Sequence, residues 1–157
     1  MAFAQNMMLL NFVANFFTSE GGPLSVENDS QHKIMIDTDK KIIFINRMGN
    51  LDKDSIIDGL RQMHEAENFD PSFATVANYI GVTKVDVGVM DITSLVSGLS
   101  KIDKRTGPVA IVVGGDDGRL VLAKYFCEVT RVFKKIPHKA FIDADEALAW
   151  ISDNMKN

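Results

Sequence analysis

The stretch Gly114-Gly115-Asp116-Asp117-Gly118-Arg119 is the first place to look for chemistry in this chain. It follows an apolar run at 109–113 and precedes a helical stretch reaching about residue 133. Turns of this kind, between a strand and a helix, often bind ligands in α/β sheets. Backbone N–H groups at a helix start hold anions, so Gly114, Gly115, Gly118 and Arg119 make a candidate anion-binding turn. The pattern fits neither the Gly-x-Gly-x-x-Gly nor the Walker spacing. Asp116 and Asp117 also repel phosphate unless a divalent cation stands between. A tight turn with an acidic helix cap at Asp116 or Asp117 is the plainer reading. His32, His64 and His138 fall on three separate elements without ligand-like spacing, so no metal site is expected. Cys127, beside Phe126 in an apolar helix, reads as a buried structural thiol rather than a nucleophile. Serine or cysteine catalysis needs a base held by an orienting group. No such constellation stands out, and no catalytic residue or cofactor is expected.

Composition narrows the classes. At 157 residues one domain is expected, long enough to bury a core. Charged residues make up 24% and apolar residues 46%, the balance of an ordinary globular protein. A net charge of −4 argues against a nucleic-acid surface, which needs clustered Lys and Arg. The basic clusters Lys40-Lys41, Lys101-Ile102-Asp103-Lys104-Arg105 and Lys134-Lys135 sit near element ends and read as solvated. Glu65, Glu67 and Asp70 read the same way. The single cysteine cannot form an intramolecular disulfide, which suits a reducing, cytoplasmic setting. No apolar run reaches the ~18 residues of a membrane span.

Residues 1–18 carry no charge, and Phe3, Leu9, Leu10, Val13, Phe16 and Phe17 share one helical face. Gly21-Gly22-Pro23 stops that helix, and a linker follows to about residue 31. There is no basic n-region for a secretory signal and no Lys or Arg on the polar face to hold an anionic membrane. The helix docks on its own domain or on a second subunit. Its apolar face favours a homodimer. Short apolar runs at 33–37 and 42–46, separated by Thr38-Asp39-Lys40, predict a hairpin. Asp52 is placed to cap a helix to about residue 68, with Ile56, Ile57, Leu60 and Met63 as its stripe. Phe69 and Phe73 plug the bottom of the core around the break at Asp70-Pro71. A third strand is expected over 75–83, with Gly81 as a weak point, and Asp91 then opens a helix to about residue 103. The run 109–113 is unbroken and mostly β-branched, as in a strand covered on both faces. A fifth strand over 139–142 leads through the capping box Asp143-Ala144-Asp145-Glu146 into a last helix, with Trp150 at its edge. The expected order is β-β-α-β-α-β-α-β-α, an α/β fold with a mixed five-stranded sheet. Residues 1–30 are then the amphipathic helix with its linker, and 31–157 the α/β domain.

Several phrases, in this order, resemble the SpoIIAA-like family, the STAS-related proteins of bacteria. They are Asp70-Pro71-Ser72-Phe73, Val109-Ala110-Ile111-Val112-Val113, and Phe141-Ile142-Asp143 leading into Glu146-Ala147-Leu148-Ala149-Trp150-Ile151. The resemblance covers about 33–152 and leaves the N-terminal helix outside. It implies a SpoIIAA-like, STAS-like sheet with packed helices, and a binding or regulatory module. Relatives in the CRAL-TRIO class carry lipids.

The segment Met90-Asp91-Ile92-Thr93-Ser94-Leu95 falls where STAS anti-sigma-factor antagonists carry Met-Asp-Ser-Ser-Gly-Leu. Residue by residue, Asp91 matches the Asp, Thr93 falls on the Ser that a partner kinase phosphorylates, and Ser94 falls on the Gly. The resemblance thus makes Thr93 a candidate phosphorylation site. Ile92 in place of a small residue and the loss of the Gly depart from the pattern. An N-capping Asp91 and an ordinary helical Thr93 are the plainer reading.

These readings converge on a non-catalytic binding or regulatory module. Its partner is another protein or a lipid-like, apolar ligand held between helices and sheet. A phospho-switched regulator using Thr93, or a small enzyme with a phosphate site at 114–119, are the rival expectations.

Overall fold

A computed structural model of the chain describes residues 32–115 and 118–155. The amphipathic helix and linker expected before residue 32, the dimer contact assigned to them, and the Asp116 or Asp117 cap lie outside these residues. The described part is the mixed five-stranded α/β domain that the sequence predicts.

Strand β1 (His32–Asp37) turns through 38–41 into β2 (Ile42–Leu51). The turn is fastened by the Lys40 N–H donating to Asp37 Oδ1 at 2.9 Å, and Lys41 takes φ 58°. Helix α1 (Lys53–Glu65) begins at Asp52, whose Oδ1 accepts from the Ser55 N–H at 2.7 Å while the Asp52 N–H donates back to Ser55 Oγ. Next come β3 (Ala74–Val85), α2 (Val89–Ile102), β4 (Val109–Val112), α3 (Gly118–Lys134), β5 (His138–Phe141) and α4 (Ala144–Met155). The spatial order is β1-β2-β3-β4-β5, with β1 antiparallel to β2 and the other neighbours parallel.

Two of the boundaries that differ from the sequence reading bear on the site, and both have physical reasons. Strand β2 does not end at Asn46. It runs on to Leu51 because β3 continues to Val85 beside it, across register shifts after Asn46 and Gly49. Helix α2 starts two residues before Asp91. Its N-cap is Gly88, and Asp91 sits at the third helical position, reaching back to the Gly88 N–H at 3.4 Å. A glycine has no side chain to announce a cap.

The parallel strands advance in one direction across the sheet. Connections of a single hand then put α1, α2 and α3 on the same face. That face carries Ile43, Ile45, Thr75, Ala77, Val109, Ile111 and Ala140, in register from strand to strand. Helix α4 covers the other face, where Phe44, Val76, Ala110 and Val112 are buried, and Trp150 packs against Phe141 in a tilted arrangement, 5.7 Å between ring centroids. All four residues of β4 are buried, as a strand covered on both sides requires. On the lower part of the helical face, Met63, Ile43 and Phe73 close the core, with Phe69 packed beside them.

Candidate functional site

Strand alternation carries the apolar face of β2 one step past Ile45 to Arg47. Arg47 is therefore delivered to the helix-covered side, and only 3% of it remains exposed. Helix α1 passes close above it. A Cβ at Gly59 would stand 2.7 Å from Arg47 Nη1 and 2.6 Å from His32 Cε1, so the helix can come this near only where the side chain is missing. Burial pulls the guanidinium's pKa down, while Tyr79, Asp52 and Asp58 act the other way. An arginine stays protonated under such pressure. Its Nε and Nη2 are buried and have no hydrogen-bond partner among the described residues.

Arg47 lines a cavity of about 70 Å³ between the sheet and the three helices. Ile56, Leu60 and Met63 of α1, Val96 and Leu99 of α2, and Phe126 of α3 form most of its apolar wall. A second cavity of about 70 Å³ adjoins it and shares Ile56, Tyr79, Ile111 and Phe126. That one is lined almost entirely by apolar groups, including Leu51, Val82, Ile92 and Leu95, with Arg119 at its margin.

One end of the first cavity is closed by an ion cluster. Asp103, the C-cap of α2, receives the Arg105 Nε at 3.0 Å and Nη2 at 2.8 Å, and Lys134 Nζ lies 3.1 Å from Oδ2. The side chains of Asp103, Arg105 and Lys134 are 6, 14 and 9% exposed. Lys101, Lys104 and Lys135 are exposed, as solvated ends are expected to be, but Asp103, Arg105 and Lys134 correct that reading: the fold brings Asp103 and Lys134 together from the ends of two helices and buries their side chains. Lys134 Nζ also donates to the carbonyls of Asp103 and Arg105, tying the end of α3 to the end of α2. Burial pushes the Asp103 carboxyl up, but Arg105 and Lys134 outweigh it and hold it well below the carboxylate range. Lys134 shares that one carboxylate with Arg105, so for its ammonium burial wins and its pKa falls. His64 joins from α1: its Nδ1 lies 2.7 Å from the Leu60 carbonyl and its Nε2 accepts the Lys104 N–H at 3.0 Å. Those partners occupy both ring nitrogens, and Nε2 lies 3.8 Å from Asp103 Oδ1, beyond hydrogen-bond reach. His138, in the cavity wall, is driven down to about 4 by burial, against its bond to the Ile136 carbonyl.

The other sequence candidates are scattered. Thr93 and Ser94 are exposed on α2. Thr93 is the fifth helical residue, beyond the first-turn N–H groups that a phosphate would use. Gly114 has φ +73°, with Ile80 against its Cα, and Gly115 and Gly118 face open space. Arg119 Nη1 donates to the Val82 carbonyl at 2.7 Å, closing the turn onto β3. Cys127 is buried among Val109, Ile111 and Leu120, and burial pushes its thiol up to about 12, the opposite of an activated nucleophile. Among the described residues no three of His, Cys, Asp and Glu gather where a metal ion could be held. No helix among them is long and apolar enough to cross a membrane.

Compared with known proteins, the chain matches no protein-family profile. It also matches no curated protein. Among solved structures it is similar to an uncharacterised protein of the DUF3478 family from Shewanella loihica, described as having a SpoIIAA-like fold. The identity is 20%, the TM-score 0.47, and the match covers 76% of this chain and 91% of the other.

Proposed function

We propose that the domain is a non-catalytic binding module that holds a small apolar body between its sheet and helices α1, α2 and α3. The observation that carries this reading is the pair of adjoining cavities inside the helix-covered face, walled by Ile56, Tyr79, Ile111 and Phe126 in common. Protein interiors pack as densely as organic crystals, and a space this size between sheet and helices forfeits contacts along its walls. Each cavity is about half the size of an engineered apolar cavity of ~150 Å³ that takes up benzene. The pair therefore suits a body of about six carbons. Nothing in the wall is arranged for bond-breaking: the thiol lies outside it, His138 is neutral, and the one buried carboxylate is engaged by two cations.

The test is methyl NMR on isoleucine-labelled protein titrated with 1-hexanol. Saturable shifts at the Ile56 and Ile111 methyls, with Ile142 on the exposed surface unmoved, support the reading. Shifts that never saturate, or that spread evenly over the molecule, refute it.

A further inference from the structure

Resting on that reading, we infer that the ligand is a small monocarboxylate, its charged end gripped by Arg47 and its carbon body lying in the adjoining apolar space. The argument begins from one edge of one side chain. Nε and Nη2 form the side-on fork of a guanidinium, the geometry that matches the two oxygens of a carboxylate. The same protein shows that fork in use. Arg105 presents its Nε and Nη2 to the two oxygens of Asp103 at 3.0 and 2.8 Å. Arg47 presents the same pair of atoms, buried, with no partner among the described residues.

Charge selects in the same direction. The ionised groups lining this cavity are Arg47, Arg105, Lys134 and Asp103, three cations against one carboxylate. His138 adds no charge at neutral pH, because burial holds it at about 4. The wall thus carries an excess positive charge that an anion relieves, and a cationic ligand is opposed. Asp52 and Asp58 lie near enough to act on Arg47. Neither forms an ion pair with it among the described residues, and Asp58 is exposed and accepts from Gln62 at 2.8 Å. Size excludes bulkier anions. A space of about 70 Å³ beside the guanidinium admits a planar carboxylate, and the second cavity, apolar on nearly every side, takes hydrocarbon rather than a sugar or a nucleotide. Tyr79 stands in the wall of both spaces, at the point where head and body would meet.

The experiment titrates the full chain at pH 7 with hexanoate and with 1-hexanol, reading the Ile56 and Ile111 methyls and the Arg47 Nε–H resonance. Hexanoate is expected to bind ~10- to 100-fold more tightly than 1-hexanol, the worth of a charge-assisted fork, and to shift the Arg47 Nε–H. In Arg47→Met the preference is expected to vanish while 1-hexanol binding remains. Should that variant not fold, the wild-type comparison decides alone. Equal affinities for the two compounds, or an unmoved Arg47 Nε–H, overturn the carboxylate and leave the apolar site standing. Failure of both compounds to saturate overturns the apolar site itself, and the carboxylate with it.

Discussion

Lowering the pH from 7 to 5 isolates one consequence of burying neutral histidine in the cavity wall. His138 is held at about 4, first by burial and then by Arg105 and Lys134, against the pull of the Ile136 carbonyl and Asp103. In the unfolded chain it titrates near its ordinary value of 6.5. Between those two values the unfolded state binds the extra proton, so stability rises with pH across the window. The contribution is fully present above 6.5 and is lost as the pH falls toward 4. Working the two values through the linkage relation gives a loss of about 2 kcal/mol between pH 7 and 5 for this one group. His32, also lowered to about 4 by burial and then by Arg47, adds a loss of the same sign. The carboxylates with depressed values, Asp52, Asp70 and Asp103, act only below this window. Urea unfolding at pH 7 and pH 5 measures the loss in the wild type and in His138→Gln, which can still donate to the Ile136 carbonyl but does not titrate. The variant is expected to lose about 2 kcal/mol less than the wild type over that interval. Equal losses in the two proteins would show that His138 is solvated or already charged, and that the cavity end is open to water.

Two further predictions concern the frame of the site. Asp103→Asn leaves Arg105 and Lys134 buried without their carboxylate and is expected to cost about 3–5 kcal/mol in urea unfolding. Its control, Glu128→Gln, breaks an exposed pair with Arg131 at 2.8 Å and is expected to change stability by less than about 1 kcal/mol. Gly59→Ala places a methyl 2.6 Å from His32 Cε1 and 2.7 Å from Arg47 Nη1. The expected cost is about 1–3 kcal/mol of overpacking, with amide shifts centred on β1, β2 and α1; unchanged stability and spectra would mean that α1 does not pass close over Arg47.

Much of the fold was legible because its signals are local. Asp52 caps α1 through a bond to a residue three positions away, and the run 109–113 is apolar enough to demand cover on both faces. Signals failed where the partner is distant or has no side chain. Gly88 starts α2 without a capping side chain, which left Asp91 to be read as the cap. Lys134 meets the Asp103 carbonyl across 31 positions of sequence, and no spacing rule links a lysine at one helix end with an aspartate at another. Arg47 was the readable residue that sequence reasoning missed. Ile43, Ile45 and Arg47 alternate, and extending the period by one step places a cation on the buried face. The apolar run 42–46 marks the strand only as far as Asn46, because Arg47, Gly49 and Asn50 interrupt it. Only the length of β3, which holds β2 in the sheet as far as Leu51, shows otherwise.

The strand order explains why the space opens where it does. In doubly wound sheets the order reverses, neighbouring connections part to opposite faces, and a crevice forms at the strand ends. Here the order runs from β1 to β5 without reversal, so the fold supplies no such crevice, and three helices share one face. α3 packs on α2, while α1 lies over β1 and β2 at the far side. Between α1 and the α2–α3 pair the sheet needs a filler. Ala77, which follows Ile45 and precedes Ile111 in register, is too small to provide one. A larger residue at Ala77 would close the gap with ordinary core packing. The chain instead keeps the gap and directs a guanidinium to it. That combination costs stability twice, through lost contacts and through a buried cation whose fork has no partner among the described residues. The proposed carboxylate with an apolar tail removes both costs at once: the head occupies the fork and the space beside Ala77, and the tail fills the adjoining apolar cavity.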